Sequence, residues 1–173
     1  MNTKLTSHEG GCTCGHVRYK LKSDPMIVHG CHCRWCQRQS GSAFAINALI
    51  EADRVEILKG DVDLVETDTP TGSGQTIARC PKCKVAVWST YDIFMPGDYV
   101  RFIRVGSLDN PDRLPPDVHI YTSTKQPWVI LPPDDPTAEE FYDFETTWSR
   151  DGKKRRAAVE KAAEAKQLEN VKE

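Results

Sequence analysis

Long apolar runs are missing from this chain of 173 residues. None approaches the roughly 18 residues that cross a bilayer as a helix, so no membrane partner is expected. The N-terminus, MNTKLTSHEGG, has no apolar segment of the kind a secretory signal carries, and a cytoplasmic location is expected. Charge of one sign is not in excess either. The formal net charge is −2, whereas nucleic-acid-binding domains usually show a clearly basic face, so nucleic acid is not an expected partner. No glycine-rich phosphate loop and no Ser-His-Asp arrangement is visible. The core holds no internal repeat and no low-complexity segment. Hydrophobic residues make up 39% and charged residues 28%, the proportions of an ordinary globular domain.

Cysteine, in contrast, is plentiful. Seven cysteines cannot all pair as disulfides. In a reducing compartment, clustered cysteines point to metal ligation or redox chemistry rather than cross-links. They fall into three groups: Cys12 and Cys14; Cys31, Cys33 and Cys36; Cys80 and Cys83. Two four-cysteine cages can be built from them. Joining Cys33/Cys36 to Cys80/Cys83 would make a ribbon-like site, but Gln37 to Arg79 is far longer than the usual ribbon spacing of about 15–20 residues. It would also leave Cys31 stranded. Joining Cys12/Cys14 to Cys80/Cys83 keeps CHCRWC (Cys31 to Cys36) intact as a three-thiol set, and this arrangement is preferred because it uses every cysteine. Four thiolates around zinc close the coordination shell, which is structural; three leave a position for water or substrate, which is the catalytic pattern. In an extended segment His32 points away from Cys31 and Cys33, a packing or supporting position rather than a ligand.

The elements read as mainly β. GGCTCGHVRYKL alternates through Val17, Tyr19 and Leu21 with Arg18 and Lys20 between them, the period of a half-buried strand. Cys12 and Cys14 are assigned to one face of such a strand. Phe44, Ile46 and Ala48 alternate, as do Val55 and Ile57, predicting two strands divided by Glu51–Arg54. Pro, Gly, Ser and Thr between Thr69 and Gly74 predict a hairpin turn. Further strands are expected through Val85, Val87 and Ser89, through VRFIRV, and through VHIYTSTKQPWVIL, the last broken before Pro127. Lys84 follows the CxxC pair where zinc knuckles commonly place glycine, so a left-handed backbone is expected there, at a cost of about 1 kcal/mol. The core is expected to stop near Leu131. Thr137 is read as the N-cap of a short acidic turn. From Ser149 the chain is rich in Ala, Lys and Glu and reads as a solvated helix with little apolar surface. KKRR, Lys153 to Arg156, fits a charged helix face better than a targeting or phosphate-binding patch. The domain boundaries that follow are an N-terminal extension over 1–9, a zinc-binding β domain over 10–133, a loop with a short turn over 134–148, and a charged helical or disordered tail over 149–173.

The ordered set GGCTCGHVRY, CHCRWCQRQSGSAF, CPKCKVAVWS and VHIYTSTKQPW resembles the glutathione-dependent formaldehyde-activating enzyme family, which includes centromere protein V relatives. The resemblance spans about Gly10 to Leu131. It implies a β-tent fold, small antiparallel sheets organised around zinc, followed here by a polar helical tail. It implies a structural zinc on Cys12, Cys14, Cys80 and Cys83 and a catalytic zinc on Cys31, Cys33 and Cys36. It also implies a carbon–sulfur lyase-type reaction on a small-thiol adduct, with glutathione as the candidate thiol and S-hydroxymethylglutathione as the candidate adduct. The competing readings are a non-catalytic zinc-stabilised module that binds protein or nucleic acid, and a thiol redox or metal-handling protein. Oligomeric state is not legible in the sequence.

Residues near these motifs offer candidate substrate contacts. Arg34 and Arg38 flank the three-thiol set and offer positive charge for the cluster or for a substrate carboxylate. Gln37, Ser40 and Ser42 are candidate donors to a peptide-like substrate. Gly41 would let a backbone approach closely. His119 is the candidate acid/base by residue type. Trp128 in the same segment and Trp35 beside the cluster are candidate pocket walls, and Phe44 reads as core.

Overall fold

The computed structural model describes residues 7–92 and 99–170, apart from the side chains of Gln167 and Asn170. Among these residues ten strands form two sheets. A three-stranded sheet has the order β1 (His8–Gly11), β2 (Arg18–Leu21), β5 (Val55–Lys59). A seven-stranded sheet has the order β10 (Val118–Ile120), β3 (Ile27–Cys31), β4 (Ala45–Glu51), β9 (Val100–Arg104), β8 (Ala86–Thr90), β7 (Gln75–Arg79), β6 (Asp63–Thr67). All pairings are antiparallel except β10 with β3, which is parallel. Among the described residues three α-helices complete the fold: α1 (Arg34–Ser40), α2 (Phe144–Thr147) and α3 (Arg150–Asn170). The architecture is the mainly β one expected, with small sheets and a C-terminal helix.

Alternation decides where each side chain goes. Val17, Tyr19 and Leu21 are wholly buried. They meet Val28, Ala48, Ile50, Trp88 and Ile103 in a first core between the two sheets. The intervening positions of the same strands, Ile27, Leu49, Val100 and Phe102, belong to a second core on the opposite face. The centre of the large sheet is therefore covered on both sides, and its strands read as nearly continuous apolar runs. The hairpin predicted around Thr69–Gly74 joins β6 to β7. Glu51–Arg54 does separate β4 from β5, through a 3-10 turn over Ala52–Arg54.

Three expectations are corrected. The core does not stop near Leu131: Trp148 and Val159 are buried in the second core. Thr137 does not cap a helix; it forms an isolated bridge with His119. Asp143 caps α2 instead, its Oδ1 accepting from the Thr146 N–H at 3.0 Å. Nor is α3 a freely solvated tail. Gly152, Arg155, Val159 and Ala163 form a stripe at helical spacing along its inner side. Gly152 is needed at the first contact, because a Cβ there would lie 2.7 Å from the Met26 carbonyl oxygen. The Arg155 guanidinium grips the Glu51 carboxylate through both oxygens, with Nε donating to Oε1 at 2.7 Å. KKRR is thus tied into the fold at three points. Arg155 binds Glu51, the Arg156 guanidinium lies 3.5 Å above the Phe144 ring, and Lys153 Nζ contacts the Glu145 carboxylate at 3.2 Å. A stripe made of one glycine, one arginine, one valine and one alanine carries almost no hydrophobic signal in the sequence.

Candidate metal centres and the cavity between them

The four-cysteine set assembles as the spacing predicted. Cys12, Cys14, Cys80 and Cys83 bring their sulfurs within 4.8 Å of one another. The Cys12–Cys14 Sγ separation is 3.5 Å and Cys14–Cys80 is 3.7 Å. A tetrahedron with zinc–sulfur bonds of about 2.3 Å places sulfurs about 3.8 Å apart, so the cage fits that ion. Cys12 and Cys14 sit in the turn after β1 rather than on a strand as expected. The CxxC pair sits in the turn between β7 and β8. Backbone donors support anionic sulfur: the Val17 N–H donates to Cys12 Sγ at 3.2 Å and the Lys82 N–H to Cys80 Sγ at 3.4 Å. Burial opposes ionisation of Cys12, but the Val17 amide and the neighbouring thiols outweigh it and draw its pKa down to about 6. Lys84 has φ 62°, the left-handed backbone expected at this position. Its N–H donates to the Cys80 carbonyl at 2.9 Å.

The three-cysteine set also assembles. Cys31 ends β3, Cys33 is the N-cap of α1, and Cys36 lies in its first turn, with the Cys36 N–H donating to Cys33 Sγ at 3.3 Å. Their sulfurs lie within 4.8 Å of one another, and among the described residues no further His, Cys, Asp or Glu joins them. Without a cation, three such sulfurs cannot all ionise. Hydrogen bonds from its two neighbours hold Cys33 down to about 3. Cys31 is pushed up, first by its bond to Cys33 and then by Cys36 and burial. A divalent cation removes this conflict by attracting all three thiolates at once. Both sets can hold a metal, and thiolate donors suit zinc over magnesium or calcium.

His32 is wholly buried and does not join the sulfur set. Its Nε2 lies 2.9 Å from Nδ1 of His119, and its ring packs 4.7 Å from that of Phe44. His119 in turn approaches Asp135 at 3.6 Å. Burial lowers the pKa of both rings, His32 to about 4. Gly30 makes the pair possible: a Cβ there would lie 2.5 Å from His119 Nδ1. His119 is therefore packed behind the cluster strand.

The other candidates scatter. Gln37 is buried and fully engaged. Its amide donates to the His32 carbonyl at 2.6 Å and the Thr124 carbonyl at 3.0 Å, while its oxygen accepts from Arg34 and Gln126. It braces the backbone between Cys31 and Cys33 and has no amide proton left for a substrate. Arg34 and Arg38 are exposed. Ser40 Oγ donates to the Cys36 carbonyl at 2.7 Å, and Gly41 is the left-handed C-cap of α1. Trp35 is half-buried, its Nε1 donating to Gln75 at 3.4 Å. Trp128 is 70% exposed.

Sequence reasoning missed two arginines. Arg104, the last residue of β9, shares its sheet face with Phe102; burial lowers its pKa, and the nearby Cys36 and Cys31 oppose that shift while Arg79 adds to it. Arg104 lies nearer the buried side of the cluster than the exposed Arg34 and Arg38, which were the candidates for positive charge. Arg79 ends β7, and both arginines line a cavity of about 510 Å³. Tyr121, at φ 56°, also lies near Cys31 and Cys33; burial first, then their charge, raises its pKa. Only strand pairing brings these residues to the cluster.

Residues 7–124 match the glutathione-dependent formaldehyde-activating enzyme family. A Halomonas elongata protein whose own assignment as such an enzyme is provisional is 30% identical over 128 residues, covering 71% of this chain and 80% of its own length. A crystal structure of a Rhodobacter sphaeroides protein is similar with a TM-score of 0.42 and 18% identity, over 58% of this chain and 87% of that one. Among the described residues, no helix is long and apolar enough to cross a membrane.

Proposed function

We infer, for a chain that belongs to the glutathione-dependent formaldehyde-activating enzyme family, that it is a zinc-dependent carbon–sulfur lyase-type enzyme acting on a small-thiol adduct, with S-hydroxymethylglutathione as the leading candidate. The observation that carries this reading is the pairing of a four-sulfur set with a separate three-sulfur set that no further ligand joins among the described residues. Cys12, Cys14, Cys80 and Cys83 would hold a structural zinc; Cys31, Cys33 and Cys36 would hold the catalytic one. When bound at the second set, zinc supplies Lewis acidity and acidifies a thiol that approaches it.

The chain's own groups do the rest. The Cys36 N–H steadies the Cys33 sulfur. Three thiolates around a divalent ion leave one net negative charge, and Arg104 offsets it. In the forward direction the substrate thiol loses its proton, a sulfur–carbon bond forms to formaldehyde, and the carbonyl oxygen takes up a proton to become the hydroxyl of the adduct. The reverse direction breaks the same bond. Tyr121, whose pKa is raised by burial and then by Cys31 and Cys33, keeps its proton at neutral pH and would serve as a neutral hydrogen-bond donor beside the cluster. Gln37 and Thr124, both bonded to the His32 carbonyl, fix the spacing of the sulfurs.

The test is zinc content with turnover. Wild-type protein should hold close to two zinc ions per chain and form the adduct from glutathione and formaldehyde. Cys33→Ala should lose one zinc and at least about a hundredfold in rate, the loss typical of removing a group that acts in the transition state, while keeping a cooperative melt. Unchanged turnover in that variant would remove the enzyme reading.

A further inference from the structure

We propose that the cavity between the two cysteine sets is a carboxylate-binding subsite, in which Arg79 and Arg104 grip an acidic arm of the thiol substrate. This rests on the thiol-adduct reading above and names the part of the substrate that reading leaves open. The cavity has the size of a small-molecule site, and its lining includes residues next to both cysteine sets but no cysteine itself. Thr13, between Cys12 and Cys14, and Ser40, bonded to the Cys36 carbonyl, both belong to that lining. β7 and β9 flank β8 in the sheet, and each ends in an arginine directed at this space.

The side chains that line the cavity point to an anion. No Asp or Glu lines the cavity. Arg18, Arg54, Arg155 and Arg156 all have carboxylate partners, but among the described residues neither Arg79 nor Arg104 has one. Both are instead held by neutral oxygens. Arg79 donates to the Lys84 carbonyl at 3.0 Å and to Gln39 Oε1 at 3.3 Å; Arg104 donates to Asn47 Oδ1. Neutral acceptors orient a guanidinium without cancelling its charge. The two cations lie close enough to repel, the Arg79 charge weighing against that of Arg104 after burial. Arg79 keeps donors that no carboxylate occupies, and a planar guanidinium so placed takes a carboxylate bidentately. Glutathione-type thiols carry two carboxylates; a thiol such as 2-mercaptoethanol carries none.

The experiment is calorimetric titration of the zinc-loaded full chain. The probes are S-methylglutathione, which keeps both carboxylates but has no free thiol, and its diethyl ester. S-methylglutathione should bind at least about tenfold more tightly than the ester, the typical worth of a hydrogen bond to a charged group. Arg79→Gln should remove that advantage while leaving the weaker ester binding in place. Equal binding of acid and ester to wild-type protein, no binding of either, or an Arg79→Gln variant that keeps the advantage would each overturn the subsite. Because Arg79 also braces Lys84, the acid–ester comparison on unaltered protein stands even if the variant misfolds. Loss of the enzyme reading would appear in the Cys33→Ala turnover assay, not here, so the two can fail separately.

Discussion

The two cysteine sets differ in what surrounds them. The four-sulfur set is part of the first core: Cys12 and Cys80 are buried with Val17, Tyr19 and Trp88, and Cys83 and Val85 pack on them. It joins turns that are distant in the chain and clamps the small sheet to the large one. The three-sulfur set belongs to the second core, with Phe102, Trp148 and Val159. Its ligands are local, drawn from one strand end and the helix that follows it. A closed set that joins distant segments contributes to folding, since binding free energy becomes folding free energy. A local set with three donors contributes less to folding and leaves room for chemistry. The contrast teaches that ligand count and chain separation together divide structure from reaction.

The sharpest way to break this comparison is a matched pair of variants. Cys80→Ser should cost several kcal/mol and abolish the cooperative melt, because zinc-linked folding energies are of order 10 kcal/mol. Cys33→Ser should remove one zinc and turnover while the melt survives. Equal thermal losses in the two would erase the distinction.

Next in size is the tie between α3 and the second core. Glu51→Gln should cost about 2 kcal/mol, less than a fully buried pair because these side chains remain 10% and 12% exposed. Its pH dependence has a definite sign. Burial opposes ionisation of Glu51, but the Arg155 bond outweighs it and holds the carboxyl below the usual range. Its contribution is therefore complete above the unfolded value of about 4.3 and fades as pH falls through the lower folded value. The stability difference between wild type and Glu51→Gln should shrink in that acid window and stay constant above it. A difference that instead grew toward low pH would contradict the ion pair.

Gly30→Ala should cost about 1–3 kcal/mol, the usual range for overpacking, by pushing His119 from His32. Ring-nitrogen signals of the two histidines should report the broken contact; unchanged signals would mean Gly30 is not what lets them meet. The smallest effect is on the four-sulfur side. Lys84→Gly should stabilise the knuckle by about 1 kcal/mol through relief of the left-handed backbone. The exposed Lys84–Asp63 pair lost with it is worth little. A destabilised variant would show that the strain is absent.

Much of this was legible from residue order. Cysteine spacing separated the two sets, since ligand geometry is short-ranged and needs few residues. Val17, Tyr19 and Leu21 announced their burial by alternation, because a strand has only two faces. The strain at Lys84 followed from a turn that has to place two sulfurs on one ion. The strand assignment for Cys12 and Cys14 missed because two ligands one residue apart can be presented equally well by a turn.

Other features were decided by tertiary structure alone. Arg79 and Arg104 lie on strands that meet only through β8, so no local pattern marks them as partners. The docking of α3 depends on one close glycine and one buried ion pair, neither of which raises its hydrophobic periodicity. Gln37 looked like a donor to substrate, but strand and helix placed two carbonyls where its amide protons go. The sequence by itself determined which atoms can ligate and which faces are apolar, because those properties reside in single side chains and their spacing. The tertiary structure decided which charges meet and which remain unanswered, because electrostatic balance depends on distances set by the pairing of remote strands.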